Sequence, residues 1–344
     1  MKKFILKSVF FIAPFLLMYL LNVIYYYPIE GDLARIGYLY SKKGATEDAF
    51  KDLYIEKKYT TFSELNLNTK NNFDILTIGD SFSEQEAKGY NNFLANNFSV
   101  LHMDRFLSEN PIQKLIELIN GDFFHMNQFN YVILQSAERL FVQRTENIEL
   151  SKITDIQTLK YSIANRTNSF SKLSSSFFSD ATLKIPLTNL QYLIYDKPTF
   201  SKTYNVKTNG NNLFTGKKNN LLFFEDDLKF LVHKNDSSRI SKSNVLINRI
   251  SQLLEEKNIK LLLLISPDKY DLYYPYIKNK DKFKTPLFFN YYNDLSKDYL
   301  YINSIEILRN ELNVNKNVYY FNSTHWSPIG AKAISLEINS ILMN

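Results

Sequence analysis

Cysteine is absent from this chain of 344 residues. Neither a disulfide nor a thiolate metal site can therefore form. Histidine is scarce: His102, His125, His233 and His325 lie far apart in the sequence. No two of them form a spaced ligand pair, so no metal is expected, although one His joined by carboxylates stays open. There is no G-x-G-x-x-G and no G-x-x-x-x-G-K-[ST], which removes the nucleotide-phosphate motifs, and no cofactor is expected. A concentrated basic block is also missing. The net charge of +6 is spread over an Asn-, Tyr- and Phe-rich background. That is a solvated surface with some attraction for anionic lipid or polyanionic glycan. Nucleic acid is not an expected partner, because an arm that binds it needs a denser patch. No internal repeat is evident.

What is present is enough for a folded protein. Hydrophobic residues make up 45% and charged residues 22%, ordinary values for one large domain or two modest ones. The N-terminus carries Lys2, Lys3 and Lys7, and then Ser8 to Tyr27 contain no charge. About 20 helical residues span roughly 30 Å, the thickness of a bilayer's hydrocarbon layer. Tyr25, Tyr26 and Tyr27 suit the far interface, and the leading lysines put the N-terminus in the cytoplasm. No small-x-small site closes the run as a signal peptide would require. The expectation is a single-pass anchor in the inner (cytoplasmic) membrane, with the remaining chain extracytoplasmic or periplasmic.

Residues 1–28 are thus read as cytoplasmic N-terminus and anchor, 29–70 as a partly helical linker, and 71–344 as the folded domain. "NNFDILTIGD" ends an apolar run in a glycine turn, as a buried parallel strand does. "NNFSVLHMD" (96–104) and "FNYVILQSAER" (129–139) are further strands. "NPIQKLIELING" (110–121) is a helix with Pro111 near its first turn. Residues 150–235 are read as an insertion. It is Ser-rich in part, with turn signals at Asn209-Gly210 and Gly216 between aromatic hairpin-like runs. The α/β pattern resumes with a helix at 243–259, a strand from 260 ending in Ser266-Pro267-Asp268-Lys269, and a strand and helix at 298–312. A last strand, a His-Trp loop and a terminal helix occupy 317–342. The expected architecture is α/β, a three-layer flavodoxin-like parallel sheet with an inserted mixed segment. Ligands on such sheets gather at the carboxyl ends of the strands.

In "ILTIGDSFSEQEAKGYNNFL" (75–94) a strand, a tight turn and a helix follow one another, with Ser81 at the turn. Its hydroxyl should be exposed, and its amide is expected near a helix N-terminus, where it can help hold an oxyanion. Serine needs a base. His325, in the loop expected after the last strand, reaches it if both strands share one sheet.

Gly79-Asp80-Ser81-Phe82 together with "THWSPIGAKAIS" resembles the SGNH (GDSL-type) hydrolase superfamily, and within it the membrane-anchored branch of AlgX/AlgJ-type alginate O-acetyltransferases. Gly89 in "KGYNN", "VILQSAERLF" and "ISPDKYDLYYPYI" fit the same branch. The resemblance covers about residues 72–145 and 240–342. It implies Ser81 as nucleophile, His325 as general base, and a polysaccharide acceptor that receives an acyl group, usually acetyl. It also implies a multi-pass membrane partner that supplies acyl groups. The Ser81 amide, with Gly89 or Arg139, would face the oxyanion; Arg139 could equally brace the rim by pairing with a carboxylate. Asp268 and Lys269 read either as rim groups or as a surface ion pair at a strand end.

One position departs from the pattern. The family's aspartate, two or three residues before the histidine, is here Ser323 or Asn322. Asp80, Asp268, Asn322 and Ser323 are therefore the candidates for orienting the ring. Two further readings stand beside the acyltransferase: a carbohydrate esterase, and a non-catalytic glycan-binding or scaffolding subunit with a degenerate site.

Overall fold

The computed structural model describes residues 2–26, 33, 36–37, 50, 53, 56–66, 69–107, 109–166, 198, 201–209, 213–215 and 219–343. Its centre is a six-stranded sheet in which every pairing is parallel. The strands are β1 (Thr60–Thr61), β3 (Ile75–Ile78), β4 (Val100–Met103), β6 (Tyr131–Ala137), β9 (Lys260–Ser266) and β10 (Leu300–Tyr301), in the order β1-β4-β3-β6-β9-β10. Outside it, β2 (Asn71–Asn72) pairs with β5 (Asn127–Gln128), and β7 (Thr203–Lys207) forms an antiparallel pair with β8 (Asn220–Phe224).

The helices used below are α1 (Lys2–Tyr26), α2 (Tyr90–Leu94), α3 (Pro111–Asn120), α4 (Glu138–Glu146), α5 (Ser237–Glu255), α6 (Lys269–Tyr273), α7 (Ser304–Val314) and α8 (Pro328–Met343). Helices α3, α4 and α5 pack with one another on one side of the sheet, and α2, α7 and α8 are likewise grouped. Local chemistry explains the starts. Asn110 accepts from the Ile112 and Gln113 amides, with Pro111 at the first turn of α3. Asp236 does the same for Ser238 and Arg239 at the start of α5. Strand β3 is buried along its whole length, and β9 from Leu261 onward, because helices cover both faces.

Leaving aside the edge strand β1, the order is that of a flavodoxin-like sheet, in which strand order reverses between β3 and β6. The carboxyl ends of these two strands border the crevice where such folds bind ligands. Ser81 follows one and Glu138-Arg139 the other. The α/β, parallel-sheet expectation holds and fits an SGNH-like fold.

Several details differ from the sequence reading. Thr60–Thr61, within the stretch assigned to a linker, pairs with β4, and Phe62 is in the core. Residues 317–322 form no strand of the sheet. They double back, with Tyr319 bridged antiparallel to Trp326, the Ser327 amide donating to the Val318 carbonyl and the Tyr320 amide to the His325 carbonyl. Apolar content misled there: Tyr319 is buried against Tyr273 of α6, Val318 against Gly330 of α8 and Phe321 against Phe214, not by strand neighbours. The strand starting at Lys260 does end at Ser266, as read from the sequence, and the aromatic run after it is helix α6 and a following turn.

Among the described residues no helix is long and apolar enough to cross a membrane. Helix α1 does expose Phe4, Phe10, Phe11, Phe15 and Leu17. The expected span runs on to Tyr27, which lies outside the described residues, as do the side chains from Leu21 onward. Most of residues 29–55, the Ser-rich part of 167–197, Gly210 and Gly216 also lie outside them.

Candidate active site

Ser81 Oγ and His325 Nε2 are 2.8 Å apart. The strand-to-helix turn that carries the serine is tied into the sheet from three sides. The Asp80 amide donates to Gln135 Oε1 at 2.8 Å, the Ser83 hydroxyl reaches the same oxygen at 3.0 Å, and Gln135 Nε2 donates to Ser266 Oγ at 2.9 Å. A Cβ on Gly79 would come within 2.3 Å of Ser83 Oγ and 2.4 Å of Gln135 Oε1. Glycine is required here by that close approach.

Asp80 makes its hydrogen bonds to groups other than the histidine. Its Oδ2 accepts from Arg144 Nη1 and from the Ala137 amide, both at 2.7 Å, and its Oδ1 accepts from the Phe82 amide at 3.1 Å. Burial opposes the charge, but Arg144 and the two amides outweigh it and hold the carboxyl below its usual range. Asp80 thus locks the turn. The helix expected just after Ser81 is delayed: Ser81 to Ser83 form a turn, Glu86 adopts φ 49°, and α2 begins at Tyr90. The Ser81 amide is therefore not at a helix N-terminus, and it has no protein acceptor among the described residues.

His325 is oriented by Ser323. Ser323 Oγ lies 2.9 Å from Nδ1 and 3.3 Å from the His325 backbone nitrogen. With Nε2 accepting from the Ser81 hydroxyl, Nδ1 carries the proton and donates it to Ser323. Phe82 packs on the imidazole at 4.7 Å between centroids, and on Trp326 at 4.8 Å. Burial first, and then the Arg139 guanidinium, push His325 down to about 4. The imidazole is neutral, the form a general base needs, above that pH.

A cavity of about 390 Å³ opens beside Ser81, lined by Arg105, Phe106, Arg139 and Arg144 among others. Arg139 Nη1 donates to Asp268 Oδ1 at 3.0 Å and lies 3.4 Å from Asp227 Oδ1. Asp268 also takes Lys234 Nζ at 2.7 Å, and that ammonium lies 3.0 Å from Asp271 and 3.1 Å from Glu138. Oxygens of Glu138, Asp268 and Asp271 all fall within 4.8 Å of one another. They are a donor set a cation could use, and Lys234 fills that role. Four buried carboxyls face two cations, so protons make up the difference. Burial and Asp271 push Glu138 well above its usual range, and burial and Asp268 raise Asp227 to about 7.

The structure therefore brings together Ser81, His325, Ser323 and, across the cavity, Arg139. It does not bring the other candidates to the imidazole. Asp268 is spent on Arg139 and Lys234, and Asp80 on Arg144. Asn322 packs its Cβ against Gly37. The Gly89 amide already donates to the Glu86 carbonyl. Lys269 makes no surface ion pair among the described residues. It is fully buried, and its Nζ donates to the carbonyls of Tyr320 and Phe321, each at 2.7 Å, and of Ser323 at 3.2 Å. Arg144 and Lys234 were not singled out in the sequence. Each is a lone polar residue in ordinary surroundings, and only the fold pairs it.

Residues 216–344 match the family model described as "SGNH hydrolase-like domain, acetyltransferase AlgX". That match supports an AlgX-like SGNH domain. The matched AlgX-like segment carries His325, Ser323, Lys234, Asp268 and Lys269, and the fold adds Ser81 to it from β3. An O-acetyltransferase-like function in general is supported. No curated protein and no solved structure matches the chain.

Proposed function

We propose that this protein is an extracytoplasmic serine O-acyltransferase, of the O-acetyl type, that modifies a cell-envelope or exported polysaccharide. The observation that carries the reading is the 2.8 Å approach of Ser81 Oγ to a neutral His325 at the switch point of the sheet. Ser81 Oγ attacks the carbonyl carbon of an acyl ester while its proton passes to His325 Nε2. The oxyanion faces the free Ser81 amide and the cationic side of the cavity that Arg139 lines. Collapse expels the donor's alcohol, which takes the proton from His325, and leaves acyl-Ser81. A sugar hydroxyl then attacks the acyl carbon, gives its proton to His325, and releases Ser81, which regains it.

Helix α1 serves as a single-pass inner-membrane anchor in this reading. Its exposed apolar side chains and its three leading lysines support the assignment. A multi-pass membrane protein supplies the acyl groups on the same side. Water in place of the sugar would make the same site an esterase. The neutral Ser323 on His325, where an acid would stabilise the imidazolium, is the observation that favours a non-catalytic glycan-binding subunit.

The test is intact-mass spectrometry of the full-length protein after exposure to an activated acetyl ester. One acetyl group should be gained, map to Ser81, and be absent from Ser81→Ala. Adding polysaccharide should discharge it faster than water alone. An unmodified wild-type protein with no ester turnover would remove the acyl-enzyme mechanism.

A further inference from the structure

Among the described residues no carboxylate pairs with the nitrogen of Lys269, which is buried at the start of α6, just beyond the end of β9. Such burial is costly unless the nitrogen is well satisfied. Three acceptors satisfy it: the carbonyls of Tyr320, Phe321 and Ser323. All three belong to the doubled-back segment that the Tyr319–Trp326 bridge closes and that carries His325. Phe214 and Phe321 place their rings 5.1 and 5.7 Å from the same nitrogen. Three acceptors match the three N–H groups of an ammonium, and burial pulls towards the amine. In either form the nitrogen donates to at least two of the carbonyls.

Ser323 is where this bears on chemistry. Its carbonyl is tied to Lys269 and its hydroxyl lies 2.9 Å from Nδ1 of His325. A residue fixed at its backbone holds its side chain in one place, and the ring follows. We infer that Lys269 is a positioning residue that clamps the Ser323–His325 segment onto the sheet, so that a neutral serine can hold the imidazole with its Nδ1–H tautomer. An acid would capture that N–H by charge; a hydroxyl acts only if its position is set. The inference rests on the acyltransferase reading for its consequence, but the tautomer can be read without any turnover.

The experiment is long-range ¹H–¹⁵N NMR of the full-length protein labelled at histidine, with His325→Gln used to assign the ring. Wild type, Lys269→Met and Lys269→Arg are compared, with thermal melts alongside. Wild-type His325 should be neutral with its proton on Nδ1, and a wild-type Nε2–H tautomer overturns the clamp whatever the variants do. In Lys269→Met, folded by its melt, the two tautomers should mix and the ring should titrate nearer its ordinary range. Acylation of Ser81 should fall on the order of 10²-fold, the cost of a reacting group displaced by about 1 Å. Lys269→Arg, which keeps N–H donors, should recover part of both. A folded Lys269→Met with the wild-type tautomer and rate shows that Lys269 only fills space. A wild-type protein with the Nδ1–H tautomer but no acetyl on Ser81 leaves the clamp standing and removes the acyltransferase reading instead.

Discussion

Ser323 Oγ stands 2.9 Å from His325 Nδ1 and 3.3 Å from the backbone nitrogen of the same residue. One hydroxyl thus accepts from the main chain of His325 and holds its ring nitrogen within hydrogen-bond distance. It occupies the place of an orienting acid but adds no charge. The dyad gains direction from it, and no electrostatic support for an imidazolium.

Replacing that hydroxyl separates the two effects. Ser323→Ala leaves Nδ1–H without its acceptor, and acetylation of Ser81 should drop on the order of 10²-fold. Ser323→Asp places a carboxylate beside the ring, which favours the charged imidazole and raises its pKa. Its acylation rate should exceed the wild-type rate, with the acid limb of the pH profile moved upward. Single-turnover acetylation followed by mass spectrometry across pH reads both. A wild-type rate in Ser323→Ala would show that the hydroxyl does not orient the ring.

The acid limb itself follows from His325, which burial and Arg139 hold at about 4 against an ordinary 6.5. The base form is then present through neutral pH, and the acylation rate should fall only as pH drops towards about 4. Stability changes with pH in the same direction, over a higher window. Between about 4 and 6.5 the unfolded chain binds the proton and the folded chain does not, so this ring's contribution to stability rises with pH in that window. Urea titrations of wild type and His325→Gln at pH 4.5 and 7 check the sign. The wild type should lose ground to the variant at the lower pH.

Asp80 and Arg144 are a buried pair at 2.7 Å, with both side chains about nine-tenths covered. Removing the cation alone strands a carboxylate that still carries the Ala137 and Phe82 amides. Arg144→Ala should therefore destabilise by about 3 kcal/mol. Asp80→Ala/Arg144→Ala should cost less than the sum of the single changes, because neither partner is left charged alone. A double-mutant cycle in urea measures the coupling. Additive losses would show that the pair does not act as one unit.

These pairings mark the boundary of what the amino-acid order made legible. The strands at β3, β6 and β9 could be read because each is a short apolar run closed by polar residues, and burial on both faces demands that. Ser81 and His325 could be read because each sits next to a turn beside a recognisable motif. The route by which they meet was not readable. Tyr319 looks like the interior of a strand, yet it bridges to Trp326 and hands its hydroxyl to the Pro267 carbonyl. Alternating burial in a two-residue bridge and in a strand is the same over so few positions. Lys269 was unreadable for a related reason. Nothing in Ser-Pro-Asp-Lys marks a lysine whose partners are three backbone carbonyls some fifty residues away.

Lys234 lies at the centre of Glu138, Asp268 and Asp271. Burial disfavours its charge, but the three acids more than reverse that and raise its pKa well above the ordinary value. Lys234→Met removes the cation and leaves the carboxylates facing one another. The loss should be about 3–5 kcal/mol at pH 8, the cost of uncompensated buried charge. Without Lys234, Glu138 and Asp271, already raised by burial, titrate still further above their unfolded values. The folded variant then binds more protons than the unfolded chain from about pH 4 up to those raised values. Its stability is fully present at the acid end of that range and is lost as pH rises, so the deficit should shrink at pH 5. Asp268 also holds Arg139 at the cavity, and acylation of Ser81 should fall with it. Urea midpoints at pH 5 and pH 8, read beside the acetylation rate, test the argument. An equal deficit at both pH values would mean that Lys234 does not neutralise these carboxylates.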